Sequence, residues 1–295
     1  MKALVCTALH PSSERYWSEF VASVNRQSVS GFGLLVALDG VGAPALWPNN
    51  APSATVPASG GTIADVRSSL WGSAVERADV IIMADSDDIL EPSRVELAID
   101  AHAAGAAVSS CSLALVDEDG CALEVTQGRD VVRHDDLLPA ANILGGSNSA
   151  FAATVLRELI PVPSPTVVVD WFIALGAWLR GVPFAHSHAI GTRYRQHRNS
   201  FIGASRCYDA NCIRARAVVV ENLLAAVARD APPTERGELL RRRQADVAAF
   251  RTWMGVDKHA ARYVAAVNRL VKEGEALPWW KEVACVELEA LWRQA

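Results

Sequence analysis

Three short clusters in this chain carry residue types that do chemistry. The first is Asp85-Ser86-Asp87-Asp88, which directly follows the apolar run Ile81-Ile82-Met83-Ala84. Acids crowded this closely repel one another unless a cation or hydrogen-bond donors offset the charge. A hard divalent cation such as Mn2+ or Mg2+ is the natural partner, because it prefers carboxylate oxygens and is often shared with substrate phosphates. The same residues also suit a solvated turn that ends a strand and caps a helix opening near Pro92. The second cluster is Asp170-Trp171, an acid set between Val167-Val168-Val169 and an indole. Apolar surroundings raise a carboxyl pKa and make a better general base, although an Asp at a helix start is also an ordinary N-cap. The third is Tyr194-Arg195-Gln196-His197, inside a run from Gly191 to Gly203 that holds little to bury. Polar and charged residues crowded there favour ligand contact over core packing. The combination points to a metal-dependent enzyme acting on a nucleotide diphosphate.

These residues need elements to position them. An apolar run without polar alternation suits a strand buried on both faces, so Val80 to Ala84 delivers the acids to its carboxyl end. In open α/β sheets that edge is where ligands bind. Residues 3 to 7 read as a first strand, Glu14 to Gln27 as a helix, and Phe32 to Leu38 as a second strand ending at Asp39-Gly40. This βαβ unit places Thr7 and Asp39 at neighbouring strand ends, where Asp39 either accepts hydrogen bonds from a ribose or base or opens an Asp-Gly turn. Gly42 to Gly61 reads as a surface loop. Thr62 to Arg77 reads as a helix with Thr62 and Asp65 as a capping box. Arg67 lies in its first two turns, placed either to grip phosphate oxygens or to be solvated.

Pro92 to Ala104 is a further expected helix, and Ala107 to Val116 an expected strand. The turn Asp117-Glu118-Asp119-Gly120 joins that strand to Ala122 to Thr126 as a hairpin and reads as solvated structure, not a second metal site. Gly145-Gly146-Ser147-Asn148-Ser149 is a flexible stretch that either lets a ligand approach the backbone or simply connects elements. The Asp170 helix runs to Arg180, and Pro183 to Ala189 returns to the sheet. From Ala204 onward the pattern changes to amphipathic segments at 206–230, 234–253, 257–273 and 278–293, a helical appendage. Its Arg241-Arg242-Arg243 run and Trp279, Trp280 and Trp292 suit either a membrane surface or partner, or a solvated helix face with aromatic packing beneath.

Composition sets bounds. Of 295 residues, 51% are hydrophobic and 21% charged, which predicts a sizeable core and argues against wholesale disorder. No apolar stretch is long enough to span a bilayer, and the amino-terminal run lacks a signal-cleavage site. A formal net charge of -5 argues against nonspecific nucleic-acid binding. The six cysteines form no C-x-x-C pair, which fits a reduced cytoplasmic protein without zinc or disulfides.

Three segments, in order, resemble the inverting family 2 glycosyltransferases with the GT-A fold, particularly the bacterial ones that build surface polysaccharides. Ala84-Asp85-Ser86-Asp87-Asp88-Ile89, with Pro92 and Arg94, is similar to the family's D-x-D-D segment. Asp170-Trp171 resembles its catalytic-base segment, and Tyr194-Arg195-Gln196-His197 with Asn199 and Ile202-Gly203 resembles its YRQH-x-N-x-x-G ending. The likeness covers about residues 1–204. It implies a GT-A-like, Rossmann-type, mostly parallel sheet flanked by helices, with residues 205–295 as an all-helical extension.

The resemblance further implies a metal-dependent inverting, hexosyltransferase-like enzyme. It would move a sugar from a nucleoside-diphosphate sugar, UDP- or dTDP- favoured, to a hydroxyl of a glycan or small-molecule acceptor. Asp170 matches the general base. Asp87, Asp85 and His197 match the contacts to Mn2+ or Mg2+. Thr7, Asp39, Arg67, Asp85 and Asp88 match donor contacts. Gly146, Ser147, Asn148 and Trp171 would border the acceptor, and Tyr194, Arg195 and Gln196 would be loop contacts. The setting implied is cytoplasmic, with peripheral contact to the inner face of the membrane and homo-oligomerisation through the helical region left open. The sequence departs from the family at Cys6-Thr7-Ala8-Leu9, at Leu38-Asp39 and at Arg67-Ser68. A noncatalytic sugar-nucleotide binder or scaffold and a nucleotidyltransferase are the competing readings.

Overall fold

The computed structural model describes residues 1–58, 61–128, 138–197, 208–272, 277 and 279–293. The chain divides into two compact units, one of Met1–Val132 with Leu144–Arg198 and one of Arg133–Ile143 with Asn199–Ala295.

The first unit is built on one sheet. Strands β1 (Ala3–Leu9), β2 (Gly33–Leu38), β3 (Ser53–Pro57) and β4 (Val80–Met83) pair in parallel in the order β3-β2-β1-β4. The sheet continues through β8 (Ser149–Ala152), β6 (Val108–Val116), β9 (Phe184–Arg195) and β5 (Ile89–Leu90), with β7 (Ala122–Gln127) as the hairpin partner of β6. β6 and β9 run parallel to each other, while β5, β7 and β8 are antiparallel to their neighbours, so the sheet is mostly parallel in strand direction. Helices α1 (Trp17–Asn25), α2 (Ile63–Ala74), α3 (Arg94–Ala103), α4 (Ala153–Arg157) and α5 (Val169–Leu179) accompany it. This is the α/β class expected.

Every residue of β1 and β4 is buried, which is why both read as unbroken apolar runs. The α1 residues Trp17, Phe20, Val21 and Val24 join Val5, Leu34, Val36 and Ile82 in one core cluster. The Thr62–Asp65 capping box forms as expected: Thr62 Oγ1 accepts from the Asp65 amide and Asp65 Oδ2 from the Thr62 amide.

The Gly42 to Gly61 segment holds an edge strand, β3, where a loop was expected. Of its residues only Val56 is buried, and a strand with one buried side chain has no alternation strong enough to stand out among Pro, Ser and Asn. β5 is two residues long and was equally invisible.

The second unit contains α6 (Ala210–Ala228), α7 (Glu235–Met254), α8 (Asp257–Lys272) and α9 (Glu289–Trp292). The expected helix at 278–293 is replaced by turns, a 3-10 turn at Val286–Leu288 and the short α9. Trp279, Trp280, Val283, Ala284 and Cys285 are all buried, more adjacent apolar residues than one helix face can turn inward. Trp279 instead bridges to Asn142, and Tyr263 Oη ties Glu282 and Cys285 together. Trp292 is also buried, Arg243 is buried and donates to the carbonyls of Val283 and Ala284, and Arg241 pairs with Glu238. These tryptophans therefore offer no exposed aromatic face to a membrane. Among the described residues, no helix is long and apolar enough to cross one.

Candidate active site

The acidic turn hangs between β4 and β9. Past Met83, the Ala84 amide still donates to Cys6 of β1, and after the turn Ile89 and Leu90 pair with Arg193 and Thr192. Ser86, the non-acidic member, is buried and fastens the turn: its hydroxyl lies 2.7 Å from the Ala8 carbonyl and 2.8 Å from Ser13 Oγ. A residue that had no chemical appeal in the sequence thus fixes the geometry of three that did.

Repulsion among the acids is relieved by sending each carboxylate to a different partner. Asp85 forms an ion pair with Arg67, whose side chain is largely buried, and its amide donates to Ser147 Oγ at 2.7 Å. Asp87 Oδ2 lies 2.9 Å from His197 Nε2, although 110 positions separate the two residues in sequence. Asp88 is 1% exposed and accepts from the Arg195 amide at 2.7 Å. Burial, reinforced by the charges of Asp87 and Asp85, pushes the Asp88 carboxyl well above the usual carboxylate range. Asp88 Oδ2 and Arg67 Nη1 are buried without a hydrogen-bond partner among the described residues. Such orphans are uncommon in native folds, and each calls for a partner such as water, an ion or a ligand.

Asp170 sits in the first turn of α5, one residue inside the helix, because Val168 takes the N-cap position. Its Oδ1 accepts from the Trp171 amide. Burial and then the charges of Asp88, Asp85, Asp87 and Asp170 hold the Tyr194 phenol well above its ordinary pKa. Asp39 follows β2 with its amide on the Leu9 carbonyl, at the sheet end expected.

Other residues lie elsewhere than expected. Thr7 is fully buried within β1, in register with Val36, and its hydroxyl has no partner among the described residues. The strand runs on to Leu9, so Thr7 lies two residues short of the strand end. The Trp171 indole, expected to border an acceptor, is fully buried. Gly145 to Ser149 is cross-linked where flexibility was expected. The Ser147 carbonyl accepts from Thr192 Oγ1, Asn148 bridges Gly145 and the Cys111 carbonyl, and Ser149 returns to Gly145. Ser147 and Asn148 are buried in these contacts, and the missing side chain of Gly146 makes room for the Asp85 carboxylate. Arg94 is buried behind the loop, donating to the Ser149 carbonyl.

The third cluster is strand where loop was expected: Tyr194 and Arg195 end β9, while Gln196 donates its amide to the Val116 carbonyl. Asn199, Ile202 and Gly203 lie outside the described residues.

As potential metal donors, Asp87 supplies a hard carboxylate oxygen, which suits Mn2+ or Mg2+, and His197 an imidazole nitrogen, which suits softer transition metals. The Asp85 carboxylate, expected as a further metal contact, is paired with Arg67. No group of three His, Cys, Asp or Glu is placed to hold a metal among the described residues.

The α/β architecture is that of solved glycosyltransferases. One is TarS residues 1–349 from S. aureus in complex with UDP-GlcNAc, with TM-score 0.57, 14% identity, and coverage of 100% of this chain and 79% of that one. Another is the mannosyltransferase PcManGT from Pyrobaculum calidifontis in complex with GDP-Man and Mn2+, with TM-score 0.59, 12% identity, and coverage of 100% and 80%. No protein-family model matches the sequence, and no curated protein matches it.

Proposed function

We propose that this protein is an inverting glycosyltransferase of family 2 type that uses a nucleoside-diphosphate sugar and a divalent cation. The observation that carries the reading is the meeting of Asp87 with His197, two potential metal donors 110 positions apart in sequence, beside the carboxyl edge of β4. The glycosyltransferase fold and the UDP-GlcNAc, GDP-Man and Mn2+ complexes of the similar structures support it. A cation bound at Asp87 and His197 would neutralise charge on the departing diphosphate.

The chain's own residues account for the remaining steps. Arg67, with one donor on Asp85 and Nη1 unpartnered among the described residues, is suited to a donor oxygen, and Asp39 to the nucleoside. Asp170 accepts the proton of the acceptor hydroxyl as that oxygen bonds to the anomeric carbon and the bond to the diphosphate breaks. A single displacement inverts the configuration and needs no carboxylate nucleophile.

Incubation with UDP-, dTDP- and GDP-sugars plus Mn2+ tests the reading through slow release of free nucleoside diphosphate. Pyrophosphate release from a nucleoside triphosphate and a sugar phosphate would instead mark a nucleotidyltransferase, and no release would mark a binder. Asp170→Asn is expected to abolish transfer while donor binding survives, and unaltered turnover would remove Asp170 from the role of base. Asp87→Ala is expected to remove metal-dependent nucleotide binding, as calorimetry would report.

A further inference from the structure

Arg195 ends β9 and is 2% exposed, yet all three guanidinium nitrogens have protein partners. Nε donates to the Asp87 carbonyl at 2.7 Å, and Nη1 to the Glu118 carbonyl at 2.7 Å and more weakly to the Asp117 carbonyl at 3.4 Å. Nη2 pairs with Glu19 of α1, and the Arg195 amide takes Asp88 Oδ1. The guanidinium carbon also sits 4.4 Å from the centroid of the Tyr16 ring. That ring in turn stacks on the His197 imidazole, with centroids 6.0 Å apart and planes at 30°.

One side chain therefore touches the main chain of Asp87 and the ring that supports His197. It ties both to α1 and to the β6–β7 turn, the acidic Asp117 to Gly120 segment that read as mere solvated structure. Carbonyls of Asp87, Asp117 and Glu118 converging on one point are mutually repulsive unless a cation sits among them. A planar guanidinium answers all three with fixed donor directions, whereas an ammonium is a point charge with no fixed fork. The ion pair with Glu19 contributes less, since Glu19 has 44% of its side-chain surface exposed and water screens it.

We propose that Arg195 is the positioning residue of the site: it sets the spacing of the Asp87–His197 pair and makes the β6–β7 turn part of the metal-binding scaffold. This rests on the metal-dependent reading above. The experiment uses the full chain and titrates Mn2+ together with UDP, dTDP or GDP by calorimetry, in the wild type, Arg195→Lys and Glu19→Gln. Thermal unfolding is recorded in parallel, with Arg216→Met in the second unit as a destabilised control.

Arg195→Lys is expected to weaken Mn2+-dependent nucleotide binding at least tenfold, beyond anything the control shows. Glu19→Gln, on a half-exposed side chain that keeps the fold, is expected to weaken it a few-fold. Should Arg195→Lys fail to fold, Glu19→Gln carries the test alone. Wild-type binding that persists unchanged in the variants, or a loss that the control matches, overturns the role of Arg195 and leaves the metal reading standing. Absence of Mn2+-dependent binding in the wild type overturns both.

Discussion

Gly146→Ala adds a single methyl group to a loop, yet it should be felt at the acidic turn. A Cβ built at Gly146 would lie 2.9 Å from Asp85 Oδ2, 3.1 Å from Oδ1 and 3.3 Å from Cγ, where ordinary contact begins at 3.4 Å. The carboxylate would have to retreat by about half an ångström. A solvated side chain would do so at almost no cost. Asp85 cannot, because Arg67 holds its carboxylate and Ser147, the neighbour of Gly146, holds its amide. Overpacking of this kind costs about 1–3 kcal/mol. At roughly 2–4 °C per kcal/mol for domains of this size, Tm should fall by roughly 2–12 °C. Scanning calorimetry on Gly146→Ala, Asp85→Ala and the double variant separates the cause. The methyl should be nearly harmless once the carboxylate is gone, giving a coupling energy of the same size. If Gly146→Ala costs as much in the Asp85→Ala background as in the wild type, the collision with Asp85 is not what makes glycine necessary.

Thr7→Val removes a buried hydroxyl that has no partner among the described residues, so it should leave stability unchanged or raise it by about 1 kcal/mol, and leave nucleotide affinity intact. Loss of affinity in a calorimetric titration would restore Thr7 to the donor site. In the second unit, Arg216 Nη1 meets the fully buried Glu282 at 2.6 Å. Arg216→Met strands that carboxylate and should cost roughly 3–5 kcal/mol by denaturant unfolding, with much of it recovered in Arg216→Met/Glu282→Gln. Burial pushes both His102 and His186 below their ordinary value of 6.5. The unfolded chain then takes up protons near that pH before the folded chain does, so these two histidines contribute a loss of stability as pH drops through this range, while the raised Asp88 carboxyl contributes in the opposite sense. Replacing both histidines with Gln should remove their share of the change in Tm between about pH 7.5 and 5.5, and a pH dependence identical to that of the wild type would contradict this sign.

Much of the architecture is written locally. The apolar runs of β1 and β4 declare strands buried on both faces, and the abrupt change at Asp85 puts acids at a carboxyl edge. Thr62 and Asp65, three residues apart, specify a helix start that forms as expected. These signals are legible because burial on a strand, or a cap on a helix, depends on neighbours in sequence. Local pattern misled where it met a tertiary constraint. The 278–293 segment has helical spacing, but its consecutive tryptophans find buried places in the second unit that a straight helix would deny them. Residues 3 to 7 announce a strand without announcing its length, and β1 runs two residues further, which leaves Thr7 inside it.

Which partner each candidate residue meets was decided by segments far away in sequence. The residue types of the three clusters fixed the available chemistry: carboxylates, an imidazole and guanidinium groups. The fold alone gave Asp85 to Arg67, Asp87 to His197, and Asp88 to the amide of Arg195. It also turned Arg195, by composition a plausible ligand contact, inward among main-chain carbonyls from two other segments. A carboxylate's sequence neighbours determine that it must be compensated. Only the packing of strands from distant parts of the chain determines by what, because the donors that arrive at one sheet edge are chosen by topology.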